Sequence, residues 1–279
     1  MSVHSHYRAG LWHPYEKPMY GVLLNPYHPL AHGLVGCWLF NEGGGNTVFD
    51  LSGYGNHGTL GGGTAEYYPA WTAGSFGSAL SFDGDNDYVD CGHSDSLAIT
   101  DAITIVAWVK IADPDMFRHM RIVSKKSTWD ASSGYELEYE AHSNYLTLLG
   151  SGSEFARAEN VDLDTNWHFL AGTINGTNGK LYVDGVDKTT DNTVSALVAS
   201  EQDLHIGKQS GGSDYWNGHL SVVMIYKIEL SAREIWQLYT DPFCMFYHPA
   251  LQAELLYATA PPAGIVPQAM HHYRMLREV

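Results

Sequence analysis

The chain has 279 residues, with 15 lysines and arginines, 31 aspartates and glutamates and a formal net charge of −16. Its 8 tryptophans, 18 tyrosines and 9 phenylalanines, beside only 16% charged residues, exclude an intrinsically disordered chain. The negative charge repels phosphate backbones, so we expect no nucleic-acid partner. No apolar run reaches the ~20 residues of a membrane-spanning helix, so we also expect no membrane insertion.

Residues 1–33 are predicted to form an extended N-terminal arm. Four prolines in this segment exclude a regular helix, and its several histidines and aromatic residues carry little charge. The first residues, MSVHSHYRAGLWHPYEKP, lack the basic segment, apolar stretch and cleavage site of a secretory signal. We therefore expect synthesis in a cytoplasm without export by the general secretory route.

Residues 34–239 alternate short apolar runs with Gly, Asn and Asp turns, which is typical of an antiparallel β-sandwich or jelly roll. Two dipeptides, Asn178-Gly179 and Asp184-Gly185, supply hairpin-turn chemistry around one of these runs. The predicted strands are Leu34–Phe40, Ala79–Phe82, Asp87–Cys91, Ile103–Ile111, Arg121–Lys125, Tyr135–Glu140, Tyr145–Leu149, Trp167–Ile174, Lys180–Val183, Leu204–Gly207 and Leu220–Tyr226.

One short helix is predicted near the end of this domain. Ser231 and Glu234 form a capping box, apolar residues follow at helical spacing, and Asp241-Pro242 ends the helix. Residues 240–279 then form a second extended arm, rich in proline and aromatic residues. The three cysteines show no C-x-x-C spacing, so we expect three unpaired thiols.

Five segments in order resemble a laminin-G-like jelly roll of the concanavalin A-like lectin/glucanase superfamily. They are GLVGCWLFNEGGGNTVFDLSGYGNHGTL (33–60), GSALSFDGDNDYVDCG (77–92), ITIVAWVK (103–110), NWHFLAGTINGTNGKLYVDG (166–185) and WNGHLSVVMIYKIELSAREIWQLY (216–239). The resemblance implies a two-layer antiparallel β-sandwich that recognises carbohydrate or protein surfaces, often with bound calcium, and does not by itself imply catalysis.

The resemblance places the calcium near Asp50 and Asn56, where a carboxylate is followed by a glycine-rich turn. Relatives often carry I-D-E-V on a late strand, whereas this chain has Leu220-Ser-Val-Val, without either acidic residue. A second candidate is the cluster that contains Asp85 and Asp87, for which a solvated turn is the alternative interpretation.

The superfamily also includes glycoside hydrolases with three acidic residues alternating on one strand. Glu136, Glu138 and Glu140 share one face of a predicted strand, so hydrolysis is one hypothesis. The middle residue of that hydrolase motif is Asp, however, and a polar row is common on a half-buried strand, so we favour a non-enzymatic protein.

Glycan recognition requires aromatic side chains in loops, because those in strands such as Trp38, Trp108 and Trp167 are expected in the core. The candidates fall into three loops, and for each the alternative role is a structural anchor. They are Tyr68 and Trp71 beside Tyr67, then Trp129, and then Tyr215 and Trp216.

The charge divides the chain into an acidic body and neutral arms. Residues 34–239 hold 11 basic and 27 acidic residues, which accounts for the whole net charge of −16, while the arms hold four basic and four acidic residues.

Together with the segments HPLAHGLVGCWLFNEG and LYTDPFCMFYHP, this architecture resembles laminin-G-like proteins of bacteriophage particles. We therefore predict a non-enzymatic virion surface protein, a capsid decoration or fibre component, made in the host cytoplasm. Its arms would dock on other capsid subunits, and a homo-oligomer suits that role. A free lectin-like protein is the alternative.

Overall fold

The computed structural model describes residues 16–114, 118–212 and 214–247, which form sixteen strands and one α-helix. In chain order they are β1 (Leu34–Trp38), β2 (Thr47–Val48), β3 (Gly58–Leu60), β4 (Ala70–Ala73), β5 (Ser78–Asp83), β6 (Val89–Asp90), β7 (Ala102–Ile111), β8 (His119–Ser124), β9 (Glu136–Glu140), β10 (Tyr145–Leu149), β11 (Phe155–Ala158), β12 (His168–Asn175), β13 (Asn178–Val183), β14 (Val186–Asp187), β15 (His205–Ile206), β16 (Asn217–Tyr226) and α1 (Ala232–Thr240).

The strands form two antiparallel sheets, which confirms the predicted β-sandwich. The first sheet runs β14-β13-β12-β7-β16-β5-β4, and β1 also pairs with β16. The second runs β11-β10-β9-β8-β15-β6-β3-β2. All eleven predicted strands are present. The unpredicted β2, β3, β4, β11 and β14 have two to four residues each, too few for alternation to be recognised.

The predicted hairpin turns are correct at one position and wrong at the other. Asp184 and Gly185 both have positive φ (50° and 76°) and connect β13 to β14, as predicted. The turn between β12 and β13 instead lies two residues before Asn178-Gly179. Asn175 pairs with Asn178 in the ladder, and Gly176 provides the positive φ of 61°.

The main hydrophobic core lies between the two sheets. It contains the completely buried Trp38 and Trp216 together with the inward side chains of both sheets, among them Phe82, Leu137 and Ile206. Cys91 joins this core and Cys37 the second apolar cluster described below. All three cysteines are unpaired, as expected, and burial raises the pKa of each thiol.

A second apolar cluster covers the outer face of the first sheet. Trp108 of β7 stacks on Tyr239 of α1 at 5.8 Å between ring centroids and meets Phe76 edge-on at 4.8 Å. Ile235 and Leu238 of α1 are also buried there. The predicted capping box is present: Ser231 N donates to Glu234 Oε2 (2.7 Å), and Glu234 N donates to Ser231 Oγ (3.4 Å). The first sheet is therefore apolar on both faces.

The described parts of the two predicted arms pack on the body instead of extending from it. Asn25 N donates to Met245 O (2.8 Å) and Tyr247 N donates to Leu23 O (2.9 Å), so the two segments pair with each other. Phe243, Met245 and Phe246 are buried in the second apolar cluster, which Val22 and Leu30 also join. The aromatic and aliphatic side chains of residues 16–33 and 240–247 therefore cover the sheet. Residues 1–15 and 248–279 lie outside the described part.

The buried Lys17 fixes the N-terminal segment to the body. Its ammonium donates to the carbonyl oxygens of Leu39 (2.5 Å), Ser78 (2.6 Å) and Ser221 (2.7 Å). Within the described residues no helix is long and apolar enough to cross a membrane. Among the described residues, the outer face of the second sheet carries polar side chains, including Arg121, Glu136 and Glu138.

Candidate functional site

The outer face of the second sheet carries aromatic and ionisable side chains that are suited to binding a ligand. Because successive side chains of a strand point to opposite faces, the fully buried Val89 points inward while Tyr88 and Asp90 point outward. In the neighbouring β15, Ile206 points inward, and His205 points outward opposite Asp90. Two short strands therefore place an aromatic ring, an imidazole and a carboxylate side by side.

Three tyrosine rings gather around one lysine and one aspartate at this position. Tyr67 and Tyr88 lie 6.4 Å apart between ring centroids, with planes inclined by 34°. The Lys208 ammonium lies 4.4 Å from the Tyr88 ring centroid and 5.7 Å from that of Tyr215. All three rings are half-buried, so each is anchored and still accessible. We refer to Tyr67, Tyr88, Asp90, Lys208 and Tyr215 as the tyrosine site.

The glycine run Gly61–Gly63 lets the chain approach Tyr88 closely. Gly61 N donates to Tyr88 O at 2.7 Å, and Tyr88 N donates to Tyr67 O at 3.4 Å. Gly62 has φ +59°, and a Cβ built there would lie 2.7 Å from the Tyr88 hydroxyl. A side chain at Gly62 would therefore displace that ring or its hydroxyl.

Lys208 and Tyr215 are brought together by the loop before β16. They form an isolated antiparallel bridge, and Gln209 N donates to Asp214 O at 3.1 Å within it. Trp216 N donates to Gly207 O at 2.8 Å, and the Trp216 ring is buried in the core beneath. The buried tryptophan therefore anchors a loop that presents its neighbour, Tyr215, at the surface.

The ionisable groups of the site favour neutral phenols. Burial raises the pKa of Tyr88, with Asp90 adding to the effect, and burial likewise raises the pKa of Tyr215. Both hydroxyls therefore carry their protons at neutral pH. Burial lowers the pKa of Lys208, and Asp90 opposes that shift. Burial also lowers the pKa of His205, whose ring meets Tyr88 edge-on at 5.1 Å.

This arrangement suits a small, uncharged, polyhydroxylated ligand. Tyrosine faces pack against C–H groups, while their hydroxyls donate and accept hydrogen bonds. Asp90 accepts from hydroxyl donors and Lys208 donates to oxygen acceptors. The site therefore combines an apolar surface with polar groups that fix a ligand's orientation, as small-molecule sites generally do.

Two of the predicted ligand-binding residues hold glycine-rich loops. The Trp71 indole donates to Gly45 O at 2.9 Å, and the Tyr68 hydroxyl donates to Gly63 O at 3.1 Å. Both rings are half-buried and pack on the main core. They border an open depression of about 300 Å³ lined by Tyr20, Glu42, Gly44, Gly45, Asn46, Thr47 and Phe49. Their polar groups act as loop anchors, the alternative that the sequence left open.

The other three predicted ligand-binding residues have different outcomes. Tyr215 lies in the tyrosine site. Trp216 is 0% exposed, and its ring belongs to the main core. Trp129 is 51% exposed, on a loop where Thr128 donates to Asp130 at 2.8 Å. Among the described ring contacts, none joins Trp129 to the tyrosine site.

The oxygens of Asp50 and Asn56 are already used within the fold, so they do not fit the expected calcium ion. Asp50 Oδ1 accepts from Cys37 N and Ser52 N, both at 2.9 Å, and Oδ2 accepts from Ser52 Oγ (2.7 Å) and Asn56 N (2.9 Å). These four donors fill the lone-pair positions of a carboxylate. The Asn56 amide donates to Val35 O at 2.7 Å, and its oxygen accepts from the Ser94 hydroxyl.

The acidic turn that contains Asp85 and Asp87 likewise fits calcium poorly. Asp87 Oδ2 accepts from Asp83 N at 3.0 Å, and Asp83 Oδ1 accepts from Asp85 N at 2.8 Å, so carboxylates fold the turn itself. Burial and the two neighbouring carboxylates raise the pKa of Asp87. Among the described residues, neither Asp85 nor Asp87 joins a group of three ligand atoms close enough to share an ion.

The row of glutamates on β9 surrounds a buried arginine. Arg121 Nε lies 2.8 Å from Glu136 Oε1, Nη1 pairs with Glu138, and Nη2 lies 3.1 Å from Asp214 Oδ2. Glu136 is completely buried, and burial raises its pKa against the opposing effect of Arg121. Glu138 also accepts from Thr147 at 2.8 Å. The first two glutamates therefore neutralise a structural cation, unlike a pair of carboxylates open to a substrate.

Sequence reasoning missed Tyr88, Asp90 and Lys208. The first two could have been found, since alternation around Val89 already points both away from the core. Lys208 could not, because its position over Tyr88 depends on the pairing of β15 with β6.

The comparisons agree with the geometry of the fold. A laminin-G family model described as the concanavalin A-like lectin/glucanases superfamily matches residues 83–236, just over half of the chain. No curated protein matches at a significant level.

Three solved structures illustrate the likeness. The binding domain of Paraclostridial Mosquitocidal Protein 1 has a TM-score of 0.58 at 14% identity, and the match covers 77% of this chain and 53% of that one. Domain 4 of an extracellular arabinanase from Geobacillus stearothermophilus, in complex with arabinotriose, has a TM-score of 0.55 at 18% identity. That match covers 74% of this chain and 98% of the arabinanase domain.

The binding domain of botulinum neurotoxin DC, in complex with SialylT, has a TM-score of 0.55 at 16% identity. That match covers 75% of this chain and 52% of the toxin chain. The match thus spans about half the length of the two toxin chains. At these identities the likeness shows the fold alone. On the family match and this fold together, the chain belongs to the laminin-G-like family of the concanavalin A-like lectin/glucanases superfamily.

Proposed function

We propose that the chain is a carbohydrate-binding protein whose tyrosine site holds the glycan. The observation that carries the proposal is the gathering of three half-buried tyrosine rings around Lys208 and Asp90. Rings from three separate segments of the chain meet on the polar outer face of the second sheet. A sugar ring has alternating C–H faces and hydroxyl edges, which match those aromatic faces and polar groups.

The structural neighbours support this proposal at the level of the fold. An arabinanase domain was solved with arabinotriose and a neurotoxin binding domain with SialylT, so jelly rolls of this shape carry sugars in other proteins. Residue-level support comes from the tyrosine site itself.

The proposed role is binding without hydrolysis. A retaining glycosidase needs two carboxyl groups about 5–5.5 Å apart, with the acid's pKa raised. Glu136 meets the second condition only while buried against Arg121, where a glycosidic bond cannot reach it. In the tyrosine site, Asp90 accepts a hydrogen bond from Gly92 N at 2.9 Å, and its charge raises the pKa of the nearby Lys208 against the lowering effect of burial, which suits hydrogen bonding to a ligand.

A glycan array on the full chain, followed by calorimetric titration of the best ligand, tests the proposal. We expect Tyr88→Ala and Tyr215→Ala each to weaken binding about fivefold to thirtyfold, because each stacked ring contributes about 1–2 kcal/mol. Tyr54→Ala is the matched control, since Tyr54 is 50% exposed outside the site and should bind unchanged. Blank arrays, or equal effects of all three substitutions, would overturn the proposal.

Hydrolysis is tested with the same ligand. We expect no release of reducing sugar by the wild-type chain over many hours. Release that disappears in Glu136→Gln would instead favour the glycosidase hypothesis.

We also propose, as the finer role, that this chain is a virion surface component. The paired terminal segments cover the outer face of the first sheet, and the tyrosine site lies on the opposite side of the sandwich. The terminal segments would then dock on other capsid subunits, while the acidic body presents the tyrosine site on the opposite side. Mass spectrometry of purified particles tests this role, and particles without the chain would exclude it.

A further inference from the structure

A second cluster of ligating side chains lies on the outer face of the second sheet, where β8 begins and β9 ends. His119, Glu140 and His142 each place one ligand atom within 4.8 Å of the other two. His119 and Glu140 are directly opposite each other in the β8–β9 ladder, and His142 follows in the next turn. We refer to these three residues as the histidine cluster.

The backbone that carries the histidine cluster is held by hydrogen bonds on both sides. Ala141 N donates to Arg118 O at 3.0 Å, which ties the turn to β8. Ser143 N donates to Glu140 O at 3.2 Å, which closes the turn that presents His142. The two imidazole rings meet edge-on, with centroids 5.2 Å apart. Little backbone ordering would therefore be needed for all three side chains to share one ligand.

The surroundings of the cluster favour a cation. Glu138 Oε2 lies 3.7 Å from His119 Nδ1 and adds negative potential. The nearby positive charge of Arg121 is met by three carboxylates, those of Glu136, Glu138 and Asp214. The excess charge beside the histidine cluster is therefore negative.

A similar group formed by Asp90, Asp203 and His205 is less suitable for a cation. Its ligand atoms are also within 4.8 Å of one another. However, the ammonium groups of Lys125 and Lys208 are close enough to lower the pKa of His205, and each would oppose a bound cation.

We propose that the histidine cluster binds one divalent transition-metal ion of the zinc type. Two imidazoles and one carboxylate are ligands that zinc and its first-row neighbours prefer, whereas calcium takes six to eight oxygens. Three protein ligands at a half-exposed position leave at least one coordination site for water or an external ligand. The proposal does not depend on glycan binding.

Calorimetric titration of the full chain with zinc chloride tests the site. The chain has 15 histidines, so the measured quantity is the difference between wild type and variants. We expect His119→Gln and His142→Gln each to remove one binding event or weaken it at least tenfold. His93→Gln is the matched control, because His93 is exposed beside Asp203, outside the cluster, and should leave the titration unchanged.

A second measurement separates ligation from folding. Cobalt bound by two imidazoles and a carboxylate gives visible absorption bands, which we expect in the wild-type chain and in His93→Gln. Those bands should be lost in His142→Gln while its thermal midpoint without metal equals that of the wild type. A wild-type titration without a zinc event, or identical titrations of wild type and both cluster variants, would overturn the proposal.

Discussion

Removing the Asp50 carboxylate should destabilise the fold strongly. Asp50→Ala would leave the backbone N–H groups of Cys37, Ser52 and Asn56 without their acceptor, each now bonded at 2.9 Å. An unsatisfied buried donor costs about 1–3 kcal/mol, and water entering the vacated space replaces part of that loss. We therefore expect the free energy of unfolding to fall by about 3–6 kcal/mol. Asp50→Asn, which keeps one acceptor oxygen, should cost about half as much.

Urea unfolding followed by tryptophan fluorescence measures this change. Asp85→Ala is the control: the exposed Asp85 belongs to the other predicted calcium turn, and its loss should change stability by less than about 0.5 kcal/mol. Added calcium chloride should not shift the wild-type midpoint, because a ligand stabilises only the state that binds it. A loss below about 1 kcal/mol in Asp50→Ala, or a calcium-induced increase in wild-type stability that Asp50→Ala abolishes, would refute the structural role.

Three further predictions follow from single side chains. Gly62→Ala should weaken glycan binding about tenfold, because its Cβ meets the Tyr88 hydroxyl, whereas Gly63→Ala, with open space around it, should not. Burial lowers the pKa of Lys17 to about 7 in the folded chain, whereas an unfolded lysine titrates near 10.4. Between about pH 7 and 10 the unfolded chain therefore binds more protons than the folded one, so the free energy of unfolding rises with pH. Lys17→Met should remove about 2 kcal/mol of that rise between about pH 7 and 9, measured by urea unfolding. Trp216→Ala should lower the free energy of unfolding by about 3–5 kcal/mol in the same assay, because its ring is completely buried.

Each of these predictions has a contradicting outcome. Equal binding by the two glycine variants would mean that Tyr88 does not contact the glycan. A pH dependence shared by wild type and Lys17→Met would place the titrating group elsewhere. A mild effect of Trp216→Ala on stability, with a large effect on binding, would restore that ring as a ligand contact.

The sequence was sufficient for the architecture because the relevant signals are local. Alternation predicted eleven strands, and Ser231 with Glu234 predicted the start of the helix, since a capping box satisfies its donors within four residues. The same local chemistry was misleading at Asn178-Gly179, where strand pairing placed the turn at Gly176. The residue types of a turn limit which backbone conformations it can adopt, whereas the pairing of the flanking strands determines where the turn lies.

Only the tertiary structure decided which aromatic residues reach a ligand. Tyr215 and Trp216 are adjacent in sequence, yet one lies at the surface and the other in the core, because successive positions of extended chain face opposite sides. Tyr67, Tyr88 and Tyr215 come together only through sheet pairing across more than 100 residues. The sequence by itself determined the acidic jelly roll and its apolar terminal segments. Packing determined that the described parts of those segments cover one sheet, because burying their apolar side chains away from water lowers the free energy of the folded chain.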